Sequence, residues 1–213
     1  MTSPAVSHPI FARFWAWMSP KMEAGGVAEH REKLLAGLAG RVIEVGAGTG
    51  LNFVHYPPQV TSVLAVEPEA HLRELAARNA TQAPVRVEVA DGVAERVPAA
   101  VASADAVVLS LMLCSVANQA VALREAYRVL RPGGQLRFFE HVRAENAGLA
   151  RVQRTLDATV WPTMGGGCHT SRDTLAAIEA AGFTIDELER FRFPDVWVSM
   201  PTSPHILGVA RRP

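Results

Sequence analysis

Residues 41–50 read RVIEVGAGTG, an apolar run that ends in an acidic residue and three glycines at alternate positions. The run predicts a buried strand, and the glycines let the chain turn tightly and approach a ligand closely. A helix is predicted to follow at once. The spacing Gly-x-Gly-x-Gly differs from the Gly-x-Gly-x-x-Gly of dinucleotide sites. Because Glu44 would oppose the anion of a pyrophosphate, the turn favours a ligand that carries an amine and a sulfonium.

Two further acidic residues close predicted strands after this turn. Glu67 closes the second strand, 21 residues after Gly46, near the offset of about 20 residues at which an acid meets ribose hydroxyls. Asp91 and Gly92 close the third, where a carboxylate can accept the exocyclic amine of adenine and Val93 can cover a base face. Since the carboxyl ends of parallel strands share one edge of a sheet, these residues predict a ribose and adenine site.

Short apolar runs alternate with helical patterns along the chain, which is typical of parallel strands joined by crossover helices. Strands are predicted at residues 41–45, 62–66, 85–90, 104–110, 135–141, 183–191 and 205–211. Helices are predicted at residues 21–38, 49–56, 70–79, 119–129, 149–160 and 172–181. Residues 192–204 hold three prolines and no helical pattern, so the last two strands should pair antiparallel. We predict a doubly wound α/β fold, a mostly parallel seven-stranded sheet with an antiparallel C-terminal edge pair, in one domain over residues 1–213.

The composition excludes several classes of partner and compartment. Of the 213 residues 49% are apolar, and 21 basic residues balance 21 acidic ones, so no broad charged surface for nucleic acid is built in. Two cysteines are too few for a framework of several disulfides, which favours a reduced, cytoplasmic setting. We expect Cys114 and Cys168 to pack as small apolar residues. The oligomeric state is left open.

The N-terminal aromatic cluster at residues 11–18 lies between Pro9 and Pro20 and includes Arg13. It falls short of the roughly 20 apolar residues that a spanning helix needs, so we expect no stable membrane insertion. A short helix packed on the domain is the simplest interpretation. The alternatives are that residues 1–20 form a lid over a pocket or make weak interfacial contact with a membrane.

Five motifs in the second half of the chain carry a resemblance to a known family. They are Leu113-Cys114-Ser115-Val116, the turn YRVLRPGG at residues 127–134, Glu140-His141-Val142, Gly167-Cys168 followed by Thr170, and Pro204-His205-Ile206 followed by Gly208. With the glycine turn, this ordered set resembles the class I methyltransferases that depend on S-adenosylmethionine, and within them the methyltransferase-like thiol methyltransferases. Animal members carry a hydrophobic anchor ahead of the catalytic domain, and because few residues precede the predicted domain here, we expect no such anchor. Their loop usually reads Asp-Gly-Cys, where this chain has GGGCH at residues 165–169.

The resemblance implies an enzyme that transfers the methyl group of S-adenosylmethionine to a small apolar acceptor, most simply a thiol. The transfer is an in-line displacement, in which good positioning can supply roughly 7 to 11 kcal/mol. A thiol has a pKa of about 8.5, so a modest base is enough to remove its proton. His141 and His169 are the candidate catalytic residues because histidine titrates near neutral pH, and a structural role is the alternative for His141. The residues expected to bind the cofactor are Glu44, Gly46, Ala47, Gly48, Gly50, Asn52, Glu67, Pro68, Asp91, Gly92, Val93 and Ser110.

The absence of two kinds of motif excludes some acceptors and metal cofactors. Residues 110–113 read SLML, not the Asn/Asp-Pro-Pro-Tyr element of enzymes that methylate nucleobases, so nucleic acid is disfavoured as acceptor. No histidine and cysteine set has zinc spacing, and no acids cluster for magnesium, so we expect metal-free transfer.

Three alternative functions stay open. One is methylation of oxygen or carbon in a quinone or another natural product, and another is a cofactor-binding module without catalysis. The third is a nicotinamide-dependent dehydrogenase. A dehydrogenase with a catalytic Tyr-x-x-x-Lys is disfavoured because the only lysines, Lys21 and Lys33, precede the first strand.

Overall fold

The computed structural model describes residues 9–194, 197 and 200–213, and a seven-stranded sheet forms its centre. The strands are β1 (Gly40–Val45), β2 (Val60–Val66), β3 (Val87–Ala90), β4 (Ala104–Ser110), β5 (Leu130–His141), β6 (Thr184–Arg192) and β7 (Pro204–Arg211). Their order is β3-β2-β1-β4-β5-β7-β6. β1 to β5 run parallel, and β7 is antiparallel to both β5 and β6. The predicted fold, with its antiparallel C-terminal pair, is confirmed.

Helices cover both faces of the sheet and one end of it. They are α1 (Pro9–Met22), α2 (Ala28–Leu35), α3 (Ala70–Ala80), α4 (Gln119–Val129), α5 (Ala147–Asp157), α6 (Trp161–Met164) and α7 (Thr174–Ala180). A wide helical turn, Glu23–Val27, joins α1 to α2 and bends at Gly26, whose φ is +110°. The single helix predicted over residues 21–38 is therefore divided, because a left-handed residue cannot continue an α-helix.

The helix predicted at residues 49–56 is wrong. The chain there makes two turns and one short 3₁₀ helix, Phe53–His55. Gly50 has a φ of +81°, which prevents a helix from starting at the glycines. Tyr56 precedes Pro57 and is extended, with φ −64° and ψ 128°, because proline disfavours the helical conformation in the residue before it. The residues between these two positions form two turns and the 3₁₀ helix in place of an α-helix.

The sheet separates two apolar clusters. Phe138 and Phe139 are consecutive residues of β5, and both are fully buried. Because side chains alternate along a strand, Phe138 packs in the cluster of α4 and α7, and Phe139 packs in the cluster of α2 and α3. Burial on both faces explains the almost uninterrupted apolar runs by which these strands are recognised in the sequence.

The register of the parallel strands brings their carboxyl ends to one edge. Val45 pairs with Val66 on one side and with Leu109 on the other, and Val66 pairs with Ala90. The order of the strands reverses between β1 and β4, where doubly wound folds bind their ligands. Across the described residues, no helix combines the length and the hydropathy that crossing a membrane requires.

Candidate active site

A cavity of about 1230 Å³ opens at the carboxyl edge of the sheet. Pockets for one small ligand commonly span roughly 300 to 1000 Å³, so this cavity has room for a donor and an acceptor together. The part that we call the glycine end is lined by Glu44, Val45, Gly46, Ala47, Gly48, Thr49, Glu67 and Pro68. The part that we call the cysteine end is lined by Cys114, His141, Trp161, Cys168, Phe193 and His205.

The glycine turn brings bare backbone to the cavity. Gly46 has a φ of +73°, and a Cβ atom there would lie 2.8 Å from the Cβ of Met112. The Gly46 and Ala47 N–H groups both donate to the Val66 carbonyl oxygen, at 2.8 and 3.2 Å, which ties the turn to β2. Gly50 does not line the cavity, because it lies over the ring of Phe53. Two of the three glycines therefore border the ligand space, and the third serves packing.

Glu44 is buried at the end of β1, and two side chains hold its carboxylate. Asn52 Nδ2 donates to Oε1 and the Tyr56 hydroxyl donates to Oε2, each at 2.8 Å. Arg31 extends this network by donating to Asn52 Oδ1 at 2.8 Å and to Ser110 Oγ at 3.3 Å. Burial raises the pKa of Glu44 to about 7, against the two hydrogen bonds. Glu44 and Ser110 line the cavity, whereas Asn52 lies behind Glu44 and orients it.

Glu67 closes β2 beside the glycine turn. Its carboxylate accepts the Gly48 N–H at 2.8 Å and the Glu69 N–H at 3.0 Å. Burial outweighs these two bonds and raises the pKa of Glu67 to about 7. Glu67 and Pro68 line the cavity, so a carboxylate with unused acceptor capacity faces the ligand space.

The end of β3 is placed differently from the ends of β1 and β2. Gly92 and Val93 line the cavity, and Asp91 does not. The Asp91 side chain is 73% exposed and lies 3.2 Å from the guanidinium of Arg73. Asp91 is thus a rim residue, and Arg73 draws its carboxylate away from the cavity.

At the cysteine end, His141 contacts a thiol. His141 Nε2 lies 3.2 Å from Cys168 Sγ, and Trp161 Nε1 donates to the same sulfur at 3.4 Å. Burial lowers the pKa of His141, and the hydrogen bond to Cys168 and the neighbouring Glu140 together outweigh burial, so the net shift is upward. The Cys114 thiol and burial raise the pKa of Cys168, which keeps it a thiol at neutral pH. Both cysteines are buried and free, and they line the ligand space rather than only the core.

The other two histidines of this region have different surroundings. His169 Nδ1 lies 2.9 Å from the Gly167 carbonyl oxygen, and the His169 side chain does not line the cavity. His205 lines it, and burial lowers its pKa to about 4. His205 is therefore neutral at pH 7, and its Nδ1–H donates to the Ser203 carbonyl oxygen at 2.9 Å. Of the two predicted catalytic histidines, His141 alone reaches the ligand space.

Helix α1 forms one wall of the cavity. Phe11, Phe14 and Trp15 line it. Trp15 Nε1 is 3.5 Å from the position that a Cβ of Gly48 would take, and Phe11 fills the space beside Gly166. The N-terminal aromatic cluster is therefore a helix that contacts both ends of the cavity.

Sequence reasoning missed, among others, three polar residues of the site. Arg31 and Tyr56 belong to the Glu44 network, although a lone arginine on a helix and a lone tyrosine in a loop carry no motif. Glu140 is fully buried and accepts the Met112 and Leu113 N–H groups at 2.9 Å each, which shapes the loop before Cys114. The only sequence signal for Glu140 is its position in the Glu-His-Val motif.

Three comparisons with known proteins bear on this site. Residues 43–138 match the family described as Methyltransferase domain. The chain is similar to thiol S-methyltransferase TMT1B of Homo sapiens, with 36% identity over 94% of this chain and 85% of the relative. It is also similar to the ubiquinone/menaquinone biosynthesis C-methyltransferase UbiE of Syntrophotalea carbinolica, with 32% identity over 80% of this chain and 75% of the relative.

A solved structure shares the fold. An S-adenosylmethionine-dependent methyltransferase of Thermotoga maritima superposes with a TM-score of 0.69 at 23% identity, over 96% of this chain and 98% of the other.

Proposed function

The chain belongs to the family of S-adenosylmethionine-dependent thiol S-methyltransferases, and we propose that it methylates the sulfur of a small apolar thiol. The observation that carries the proposal is the single cavity that joins an acidic glycine turn to an apolar end lined by His141 and two cysteines. In-line displacement needs donor and acceptor in one enclosed space, with the nucleophile opposite the leaving sulfur.

The residues of the glycine end fit S-adenosylmethionine, which when bound supplies a methyl group activated on a sulfonium. Gly46 borders the cavity and packs against Met112 so closely that any Cβ would collide with it, so the turn keeps its position only with glycine there. We propose that Glu67 accepts the ribose hydroxyls, because its carboxylate borders the cavity with acceptor capacity left. Glu44, held in place by Asn52 and Tyr56, offers negative charge to the amine and the sulfonium.

The cysteine end supports an apolar acceptor. Trp161, Phe193 and the neutral imidazole of His205 wall it, and α1 adds three aromatic side chains. A thiol suits this environment because it is less strongly hydrated than a hydroxyl. The pKa of a thiol is about 8.5, so its proton leaves readily. His141 is the ionisable group of this end placed to promote loss of the thiol proton.

The net charge, the two free cysteines and the position of α1 support three narrower proposals. The enzyme acts on small molecules and not on nucleic acid, since 21 basic residues balance 21 acidic ones. It works in the cytoplasm, where its two free cysteines stay reduced, and it acts as one catalytic domain. Helix α1 serves as the lid that closes the cavity over both ligands.

A panel of acceptors tests the proposed reaction. The protein is incubated with S-adenosylmethionine labelled in the methyl group and with an alkyl thiol, a phenol, a quinol and an amine of similar size. We expect the label in the thioether product. Turnover confined to oxygen, nitrogen or carbon acceptors would contradict the proposal, and turnover of the quinol alone would favour the second candidate, a quinone methyltransferase, which the similarity to UbiE supports.

A further inference from the structure

Three residues from separate segments bring ligand atoms for a soft metal ion together. Cys114 follows β4, His141 ends β5, and Cys168 lies in the loop after α6. Their two sulfurs and one imidazole nitrogen lie within 4.8 Å of one another, and all three residues are buried. The backbone N–H of His169 donates to the Cys114 carbonyl oxygen at 2.8 Å, which fixes the two cysteine loops against each other. The cluster is therefore part of the fold and not a chance approach of mobile side chains.

The separations fit a tetrahedral ion. Zn²⁺ lies about 2.3 Å from thiolate sulfur and about 2.0 to 2.1 Å from imidazole nitrogen, which places neighbouring donor atoms roughly 3.5 to 3.8 Å apart. Cys168 Sγ and His141 Nε2 are 3.2 Å apart, and no pair exceeds 4.8 Å, so small side-chain rotations suffice. Two thiolates and an imidazole favour Zn²⁺ over Mg²⁺ or Ca²⁺. Two thiolates also neutralise the charge of the ion, which lowers the cost of placing it in a buried site.

The outer surroundings and the ligand count indicate what kind of site this is. Trp161 Nε1–H donates to Cys168 Sγ at 3.4 Å, a contact of the sort that stabilises a ligating thiolate. Structural zinc sites have four protein ligands, whereas catalytic ones have three and an open position. The described residues supply three, and all three line the cavity, so the fourth position would face the ligand space.

We propose that Cys114, His141 and Cys168 bind one Zn²⁺ ion whose fourth position takes the sulfur of the acceptor thiol. The role of that fourth ligand rests on the proposed thiol methyltransferase function. Nε2 of His141 then serves as a ligand, and His141 promotes loss of the acceptor proton through the ion. The expectation of metal-free transfer depended on sequence spacing, and a site built from three distant segments has no such spacing.

The step balances without an oxidant or a reductant. Binding of the ion releases the protons of Cys114 and Cys168 to solvent. The acceptor thiol displaces a water from the fourth position and gives its proton to solvent, forming a metal-bound thiolate. Its sulfur then forms a bond to the methyl carbon while the bond from that carbon to the sulfonium breaks, and the electron pair stays on the departing sulfur. The neutral thioether product is a poorer ligand than a thiolate, so water replaces it.

Cobalt substitution tests the site without an activity assay. The whole protein is freed of metal with a chelator and titrated with Co²⁺, whose thiolate complexes absorb strongly in the near ultraviolet. We expect that band to saturate at one ion per chain, to disappear on addition of one equivalent of Zn²⁺, and to shift when an alkyl thiol is added. The band should be lost in Cys114→Ser, in Cys168→Ser and in His141→Gln. His71→Gln, at the start of α3, is the matched control and should retain it.

Binding of S-adenosylmethionine by each variant, measured by calorimetry, shows that the variant is folded. A folded Cys168→Ser protein with the same cobalt band as wild type would overturn the metal site, and so would a wild-type protein without the band. The two proposals fail separately. If the metal-free enzyme methylates thiols at the full rate, the proposed ion is wrong and the proposed function stands. If no thiol shifts the cobalt band, the acceptor sulfur does not occupy the fourth position.

Discussion

The two ends of the cavity are built in different ways. The glycine end comes almost entirely from residues 44–68, one strand, one turn and the next strand end. Side chains close in sequence hold Glu44, and backbone N–H groups hold Glu67. The cysteine end is assembled from α1 and from residues 114, 141, 161, 164–166, 168, 193, 194, 202 and 205. We propose that local geometry fixes where the donor binds, and that tertiary packing fixes where the acceptor reacts. Changes at the first end should alter affinity for the donor, and changes at the second should alter the rate of transfer.

The largest effect on affinity for the donor should follow from Gly46→Ala. The added Cβ would lie 2.8 Å from Met112, and the residue would keep a φ of +73°, so the turn must move away from the donor. We expect affinity for S-adenosylmethionine to fall about 100-fold by calorimetry, which corresponds to about 2.7 kcal/mol. Gly37→Ala is the matched control, because Gly37 has a φ of +72° and nothing within 4 Å. Equal affinities in the two variants would show that the turn does not border the donor.

The next test compares Glu67→Ala with His141→Ala. We expect Glu67→Ala to weaken S-adenosylmethionine binding about 30-fold, since a buried carboxylate that borders the cavity is lost. His141→Ala should leave that affinity within about twofold and lower kcat about 100-fold, the usual scale for losing a group that helps proton transfer. Calorimetry and steady-state rates give the two numbers separately. If both variants lose mainly affinity for S-adenosylmethionine, the two ends of the cavity do not divide donor binding from methyl transfer as proposed.

The pH dependence of stability should show the buried acid of the glycine end. Burial raises the pKa of Glu67 to about 7 from a usual 4.5, so the native state holds a proton that the unfolded chain releases between these values. The stabilisation that this proton provides is complete below pH 4.5 and is lost as the pH rises through 7.

Glu67→Gln removes this titration and keeps the shape of the side chain. The free energy of unfolding of wild type relative to Glu67→Gln should therefore fall by about 3 kcal/mol between pH 4.5 and 7.5 in urea titrations, because each pKa unit between 4.5 and 7 corresponds to about 1.36 kcal/mol. A difference that is constant across this range would mean that Glu67 is not desolvated.

The smallest effect is expected from Asp91→Asn. The Asp91 carboxylate is 73% exposed on the rim and paired with Arg73, and an exposed ion pair contributes about 0 to 1 kcal/mol. We expect the affinity for S-adenosylmethionine to change less than about twofold, in the same calorimetric assay as Glu67→Ala. A loss as large as that of Glu67→Ala would mean that Asp91 turns inward when the donor binds.

Much of the glycine end could be predicted from the sequence because its residues are close together in the chain. Each strand end carries its acid or glycine directly after an apolar run, and parallel pairing places such positions at one edge. Glu44, Gly46, Gly48 and Glu67 all border the cavity for this reason. Asp91 follows the same pattern and still lies on the rim, because a side-chain partner on α3, Arg73, decides its direction.

The cysteine end and the helix predicted at residues 49–56 show what the sequence could not supply. Contact between Cys168 and His141 depends on how the loop after α6 packs against β5, and 27 residues of chain separate the two. Apolar periodicity also suggested a helix where Gly50 and Pro57 allow a single 3₁₀ turn. In both cases long-range packing or one backbone angle overrides the local pattern.

The most direct test of the account compares two isosteric acceptors, an alkyl thiol and the alcohol of the same chain length, in single turnovers with S-adenosylmethionine labelled in the methyl group. The two have nearly the same length and shape, and only the thiol offers a sulfur whose proton leaves readily. The account predicts rapid transfer of the label to sulfur and at least about 100-fold slower transfer to oxygen. Equal rates for the two acceptors, or transfer to the alcohol alone, would contradict it.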